Sequence, residues 1–294
     1  MTSWRYVPLA DVPIGVGLHA TRVGDRVHVF ADRPAGDGVG HVVVSGNGSC
    51  EVRDPLPLRS VSGAAAGPTG PVVAGARVGD EAAVVLTETE TVLAERDEVA
   101  AWPVPVDGDP VRVVLATGRG PATVWIGTPG EDRRSVLLAD AVLGLQAAPA
   151  PGGVDLLCET SVGARFLRVE TDVRMERAMP SGSFLGPGAV LAARPPGIEV
   201  WSPDTDTRRR IPVRGLAIRR LGLVDGMLTW TEEEADEPAV GWVARLGPAG
   251  REPVHATRLP RPGHAAVVRR LGDEVVVAQA VAGRLEVWLG ALDA

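Results

Sequence analysis

Seven polar residues close short apolar runs along this chain, and their types could do chemistry together. In order they are Asp32 (VFAD), Glu88 (VLTE), Arg119 (ATGR), Glu159 (LLCE), Arg194 (LAAR), Glu232 (TWTE) and Gln279 (VVAQ). Four carboxylates, two guanidiniums and one amide gathered in one place would bind a polar small molecule. Crowded like charges would also push a carboxylate pKa toward neutrality. Two histidines join them. His264 opens an apolar run near the end of the chain, and His41 follows the loop after Asp32. An imidazole beside a carboxylate exchanges protons near neutral pH. The expected roles are His264 as first general acid/base and His41 as second, with Glu159 or Glu232 orienting the imidazole or sharing its proton. Asp32, Glu88, Arg119, Arg194 and Gln279 would hold substrate, the two arginines on an anionic group. The bland alternative stays open: strand ends entering solvent loops carry charge anyway, and a histidine at a strand start is an ordinary surface residue. His19 lies mid-strand, facing channel or core, while His28 and His255 read as structural. Glu232-Glu233-Glu234 with Asp236 reads as a solvated loop.

Other chemistries are excluded or unsupported. All 30 basic residues are Arg, so no catalytic Lys and no phosphate-cradling Lys exist. There is no HExxH, CxxC or GxSxG, and no GxGxxG opening a helix. The expectation is therefore no metal and no cofactor. Cys50 and Cys158 are too far apart in sequence for a disulfide framework and suit a reduced compartment. A net charge of −7 disfavours nucleic acid as a partner. The start, MTSWRYVPLADVP, has no apolar core of a signal peptide, and no apolar run reaches the roughly 20 residues of a membrane helix. The expectation is a cytoplasmic monomer with no membrane partner. Arg without Lys, amid abundant Ala, Gly, Val and Pro, resembles coding in a high-GC bacterium.

The elements that must position these residues repeat. Residues 122–130 (ATVWIGTPG), 198–206 (IEVWSPDTD) and 285–293 (LEVWLGALD) each carry a short apolar strand through Val-Trp or its equivalent into a Gly/Pro/Asp turn. Gly and Pro are frequent, and no long segment keeps a helical period, so strands dominate. The Val-Trp column extends through Val43-Val44, Val92-Leu93, Val124-Trp125, Leu167-Arg168, Val200-Trp201, Val243-Ala244 and Val287-Trp288. Its gaps are 49, 32, 43, 33, 43 and 44 residues, with 50 through the termini. Seven units of about 42 residues fill the chain. The two short gaps suggest blades that lost or shortened a strand, with six blades as the alternative count. Within the first unit, 17–23, 26–32, 41–46 and 50–54 read as inner, second, third and outer strands. The last unit offers 264–270, 274–280 and 284–290 and is one strand short; WRYVPLA (4–10) supplies it and closes the ring. The whole of 1–294 reads as one all-β, seven-bladed β-propeller domain. Arg208-Arg209-Arg210 fall on a predicted outer strand, where charge blocks edge pairing. The seven Trp residues are spread over the blades, which reads as inter-blade packing.

On these residues the chain resembles known propellers. IEVWSPDTDTRRRIPV (198–213) looks like the third-to-fourth-strand hairpin of YVTN-type and WD-repeat-like seven-bladed propellers, although no WD dipeptide or Gly-His signature recurs. GPATVWIGTPG (120–130) is similar to the blade motif of streptogramin B lyases, from which no residue roles carry over. A metal centre resembling that of six-bladed lactonases would need an Asn among Glu and Asp, and the only Asn, Asn47, sits in a Gly-Asn-Gly turn. Second strands lie next to the inner strands, so the polar residues at their ends should ring one face near the central channel. The expected function is a bacterial small-molecule-binding propeller, an enzyme of lyase, isomerase or cyclase type doing metal-free acid–base chemistry on a specialised metabolite. The alternative is a non-catalytic scaffold for a protein or peptide. The polar loops 32–40 and 232–238 lean toward the small molecule.

Overall fold

Short Val-rich runs separated by Gly turns form β-meanders, because each run is too short to bury itself alone and folds back on its neighbour. The computed structural model describes residues 4–15, 17–78, 83–87, 92–96, 101–108, 110–117, 121–128, 134–138, 140–170, 172–213, 217–233, 239–246, 256–262 and 266–292. They form seven four-stranded antiparallel sheets around a common axis. No helix occurs among them, and none is long and apolar enough to cross a membrane. Blades 1 to 7 begin with the inner strands Leu18–Val23, Leu58–Gly67, Ala101–Val106, Val142–Ala150, Phe184–Gly186, Ala217–Val224 and Ala266–Leu271. Blade 1 continues outward through Arg26–Asp32, Val39–Ser45 and Cys50–Leu56. In blade 7, Glu274–Val281 and Arg284–Ala291 follow the inner strand, and Arg5–Val7 is the outer strand. Tyr6 there pairs with Trp288, and Val7 with Val287. The pairing strand is three residues long, shorter than the run 4–10 read from sequence.

Burial explains why the strands are apolar on both faces. The buried side chains among the described residues fall into seven clusters, and each joins two adjacent blades. Val27, Val29 and Ala31 meet Val276, Ala278 and Val287 between blades 1 and 7. Phe30, on the opposite face of the same strand, meets Leu58, Val61 and Val73 between blades 1 and 2. Successive residues of a strand thus serve alternate interfaces, as period-two geometry requires. Near the axis the blades crowd. A Cβ on Gly63 would come within 2.9 Å of Pro105 Cδ of the next blade, and one on Gly186 within 2.6 Å of Leu223 Cβ. Among the described side chains, Trp201 packs between blades 4 and 5, Trp230 and Trp242 between 5 and 6, and Trp4 and Trp288 between 6 and 7.

The blade count stands at seven, while one column assignment is corrected. Val92-Leu93 belongs to the outer strand Val92–Arg96 of blade 2, whose third strand is Ala83–Thr87. The unequal gaps around it came from that slip, and blade 2 has its full four strands. The genuinely compact blade is the fifth, with an inner strand of three residues. The six-bladed alternative falls with the same observation.

Candidate functional site

Two members of the expected polar ring, Asp32 and Gln279, hold backbone rather than face a ligand site. Asp32 ends the second strand of blade 1, where its Oδ2 accepts from the Gly17 N–H (3.1 Å) and its Oδ1 from the Val61 N–H of blade 2 (2.8 Å). Burial pushes its pKa up, and these two N–H groups pull it back. Gln279 is fully buried. Its Oε1 accepts from the Arg261 N–H (3.1 Å) and its Nε2 donates to the Arg261 carbonyl (2.9 Å), clamping the segment that enters blade 7. Glu232 accepts from the Trp230 indole N–H at 2.9 Å. Glu159 is half-buried beside Gly144. Arg194 is exposed in the turn after its strand, its carbonyl taken by Arg210 Nη2 at 2.8 Å. Glu88, Arg119 and His264 lie outside the described residues. Glu88 also follows the third strand of blade 2, not the second, which is Gly70–Arg77. Its place in the ring was an error of strand assignment.

His41 is not at the channel mouth. It is buried within the third strand of blade 1, where its Nε2 and the His28 Nδ1 share a hydrogen bond of 3.0 Å. Its ring stacks on Phe30 with centroids 4.6 Å apart. Burial, then His28, then Arg53 lower its pKa from 6.5 to about 3, so it is neutral at neutral pH. The strand simply continues through position 41, and the side chain turns into the interface with blade 2. The thiols are no better as nucleophiles: burial raises Cys50 to about 11 and Cys158 to about 12.

The structure instead opens a cavity of about 310 Å³ in the central shaft, lined by inner strands. Leu18, His19 and Ala20 come from blade 1, Phe184 from blade 5, Arg220–Val224 from blade 6 and Ala266–Arg269 from blade 7, with Met227 and Thr229 behind. The walls are mostly apolar; the polar groups are His19, Arg220, Thr229 and Arg269. Burial, followed by the nearby Arg269 charge, lowers the His19 pKa from 6.5 to about 4, against a hydrogen bond to the Val61 backbone. Burial likewise pulls Arg269 below its ordinary value, with Asp225 and Asp107 opposing. Arg220 sits at a β-bulge between Arg219 and Gly222, with φ of +49°. A side chain in that left-handed region costs on the order of 1–3 kcal/mol, and bulges of this kind re-aim side chains. Asp206, Asp225 and Ala282 share the positive φ, but they stand in turns between strands. Sequence reasoning placed the site on the second-strand ends and missed Arg220 and Arg269. The available signal was a pair of arginines, Arg219-Arg220 and Arg269-Arg270, inside otherwise apolar inner strands. Among the described residues, no three His, Cys, Asp or Glu side chains gather as metal ligands would.

Seven four-stranded blades about a shaft define this chain as a seven-bladed β-propeller protein. Solved propellers agree at the level of fold. The chain is similar to the β-propeller domain of Cps50 (Swd1) from Myceliophteria thermophila, with a TM-score of 0.63 and 10% identity, covering 98% of this chain and 100% of that one. It is also similar to a post-proline cleaving enzyme from Rickettsia typhi (TM-score 0.61, 9% identity, 94% of this chain and 51% of that). A prolyl endopeptidase aligns with a TM-score of 0.55 and 14% identity, over 87% of this chain and 45% of that one. The chain thus spans about half the length of these two peptidases. No family model and no curated protein sequence matches the chain.

Proposed function

We propose that this propeller binds a small metabolite in its central shaft, between the inner strands of blades 1, 6 and 7. The observation that carries the reading is the cavity itself. At about 310 Å³ it lies at the lower end of the range of small-molecule sites, and apolar walls surround a few convergent polar groups. Propellers host many functions, so the argument rests on the site and not on the fold. The metal-free acid–base chemistry expected from sequence rests on His264, with Glu159 and Glu232 in support; the cavity supports binding. The free thiols of Cys50 and Cys158 suit the cytoplasm as the location.

Native mass spectrometry after incubation with a bacterial metabolite extract tests this. The wild-type protein should retain a small-molecule adduct. Ala266→Trp, which fills the shaft from a half-buried position, should lose it while keeping the all-β circular dichroism of the parent. An adduct of equal abundance in both proteins, or none in the wild type, would rule out the shaft as the site.

A further inference from the structure

Taking the shaft as the binding site, we propose that it is an anion site, in which the guanidiniums of Arg269 and Arg220 clasp the carboxylate or phosphate of a small metabolite. Several arginines of this protein are matched by carboxylates, while others, such as Arg112 on the Gly153 carbonyl, are held by backbone. Arg168 is held by Asp155 (2.7 and 2.8 Å) and Asp204, Arg165 by Asp140 and Glu176, and Arg177 by Asp206. Arg269 is set apart by lining the cavity. Its Nη1 donates to the carbonyl of its own neighbour Val268 at 2.9 Å, and no carboxylate among the described residues forms an ion pair with it. The acidic residues it senses are committed to backbone: Asp225 Oδ2 accepts from the Arg270 N–H and Asp107 Oδ1 from the Ala66 N–H. Asp225 and Asp107 only oppose the burial cost of this cation, and an incoming anion in direct contact would offset more of it.

Arg220, exposed at the cavity wall, would supply the second donor fork. The bulge that strains its backbone also sets this residue on the cavity wall, inside a strand where no turn demands a positive φ. Backbone strain held at a pocket is a pointer to function when the outlier is observed first. Two forks suit the planar, bidentate geometry of carboxylate and phosphate. His19 stands beside Arg269 as a neutral ring, so it adds an acceptor or donor without changing the site's charge. The protein as a whole carries a net charge of −7. An anion therefore enters against the overall field and is held by a local positive focus at the half-buried Arg269. The cavity volume restricts the ligand to metabolite size.

Thermal-shift and calorimetric titrations at constant ionic strength test the assignment, with inorganic phosphate, succinate, glycerol and choline as probes. Phosphate or succinate should raise the melting temperature, and glycerol and choline should not. Stronger protection by phosphate assigns a phosphoryl ligand, and stronger protection by succinate a carboxylate. Arg269→Gln and Arg220→Asn should each weaken anion binding at least tenfold. Both should melt no lower than wild type without anion, since one removes an unpaired cation and the other relieves a left-handed arginine. Undiminished anion binding in both variants overturns the proposal. So does a wild type that ignores both anions yet still captures a neutral or cationic metabolite from extract, an outcome that leaves the shaft as the binding site. If Arg269→Gln does not fold, Arg220→Asn decides alone.

Discussion

His28 and His41 meet in the interior of blade 1, and the neutrality of His41 has a cost in acid. In the folded protein His41 titrates near 3, whereas an unfolded chain protonates it near 6.5. His19 behaves alike, near 4. Between these values the unfolded state binds more protons, so stability is complete above about pH 6.5 and falls as the pH drops toward 3. Each proton taken up only on unfolding weakens the fold by about 1.4 kcal/mol per pH unit. Denaturant titrations at pH 7, 6 and 5 should show this fall. His41→Phe, packed on Phe30, should reduce its slope by about half, leaving the His19 contribution. An unchanged slope in that variant would mean that His41 is already protonated or is exposed in the native state.

The element on which the ring's seam depends is the shortest one. Arg5–Val7 pairs with Arg284–Ala291, Tyr6 meets the Trp288 ring edge-on at 5.1 Å, and Val7 is buried among residues of blades 1 and 7. Trp4 covers Gly290, and its indole N–H donates to the Arg258 carbonyl at 2.8 Å. Val12 and Ile14 continue the cover, with the Ile14 N–H donating to the Gly283 carbonyl. Removing residues 1–10 exposes the edge of blade 7 and the side chains beneath it. By area and lost ladder bonds the cost should be several kcal/mol. A drop in the denaturant midpoint with little change in its slope is the expected result, and equal midpoints for the two proteins would show that the seam contributes nothing.

At the scale of the molecule, the apolar core lies between blades, while ladder bonds hold each blade within itself. Every buried cluster draws side chains from two neighbours, so melting one blade strips one wall from each of two cores. The ring should therefore unfold in one transition, unlike an open repeat array, whose nearest-neighbour coupling lets the ends fray. Circular dichroism and tryptophan fluorescence should give coincident melts. Separate transitions would mean that some interfaces, such as that beside the three-residue inner strand of blade 5, are weak enough to part first.

Seven blades, their strand order and nearly every strand of blades 1 and 7 were legible in the sequence, because period-two apolar runs and Gly turns are local signals. The slip at Val92-Leu93 came from matching two apolar strands of one blade, which carry the same pattern and differ only in their pairing. The polar ring was legible as composition but not as role. Asp32 and Gln279 end equivalent strands, yet what they hold, the backbones at Val61 and Arg261, lies 29 and 18 residues away and is found only once the strands are packed. The burial of His41 and the unpaired Arg269 are likewise tertiary facts. Strand periodicity states which side chains share a face, but whether that face meets a neighbouring blade, a carboxylate or the open shaft depends on how the blades are arranged around the axis.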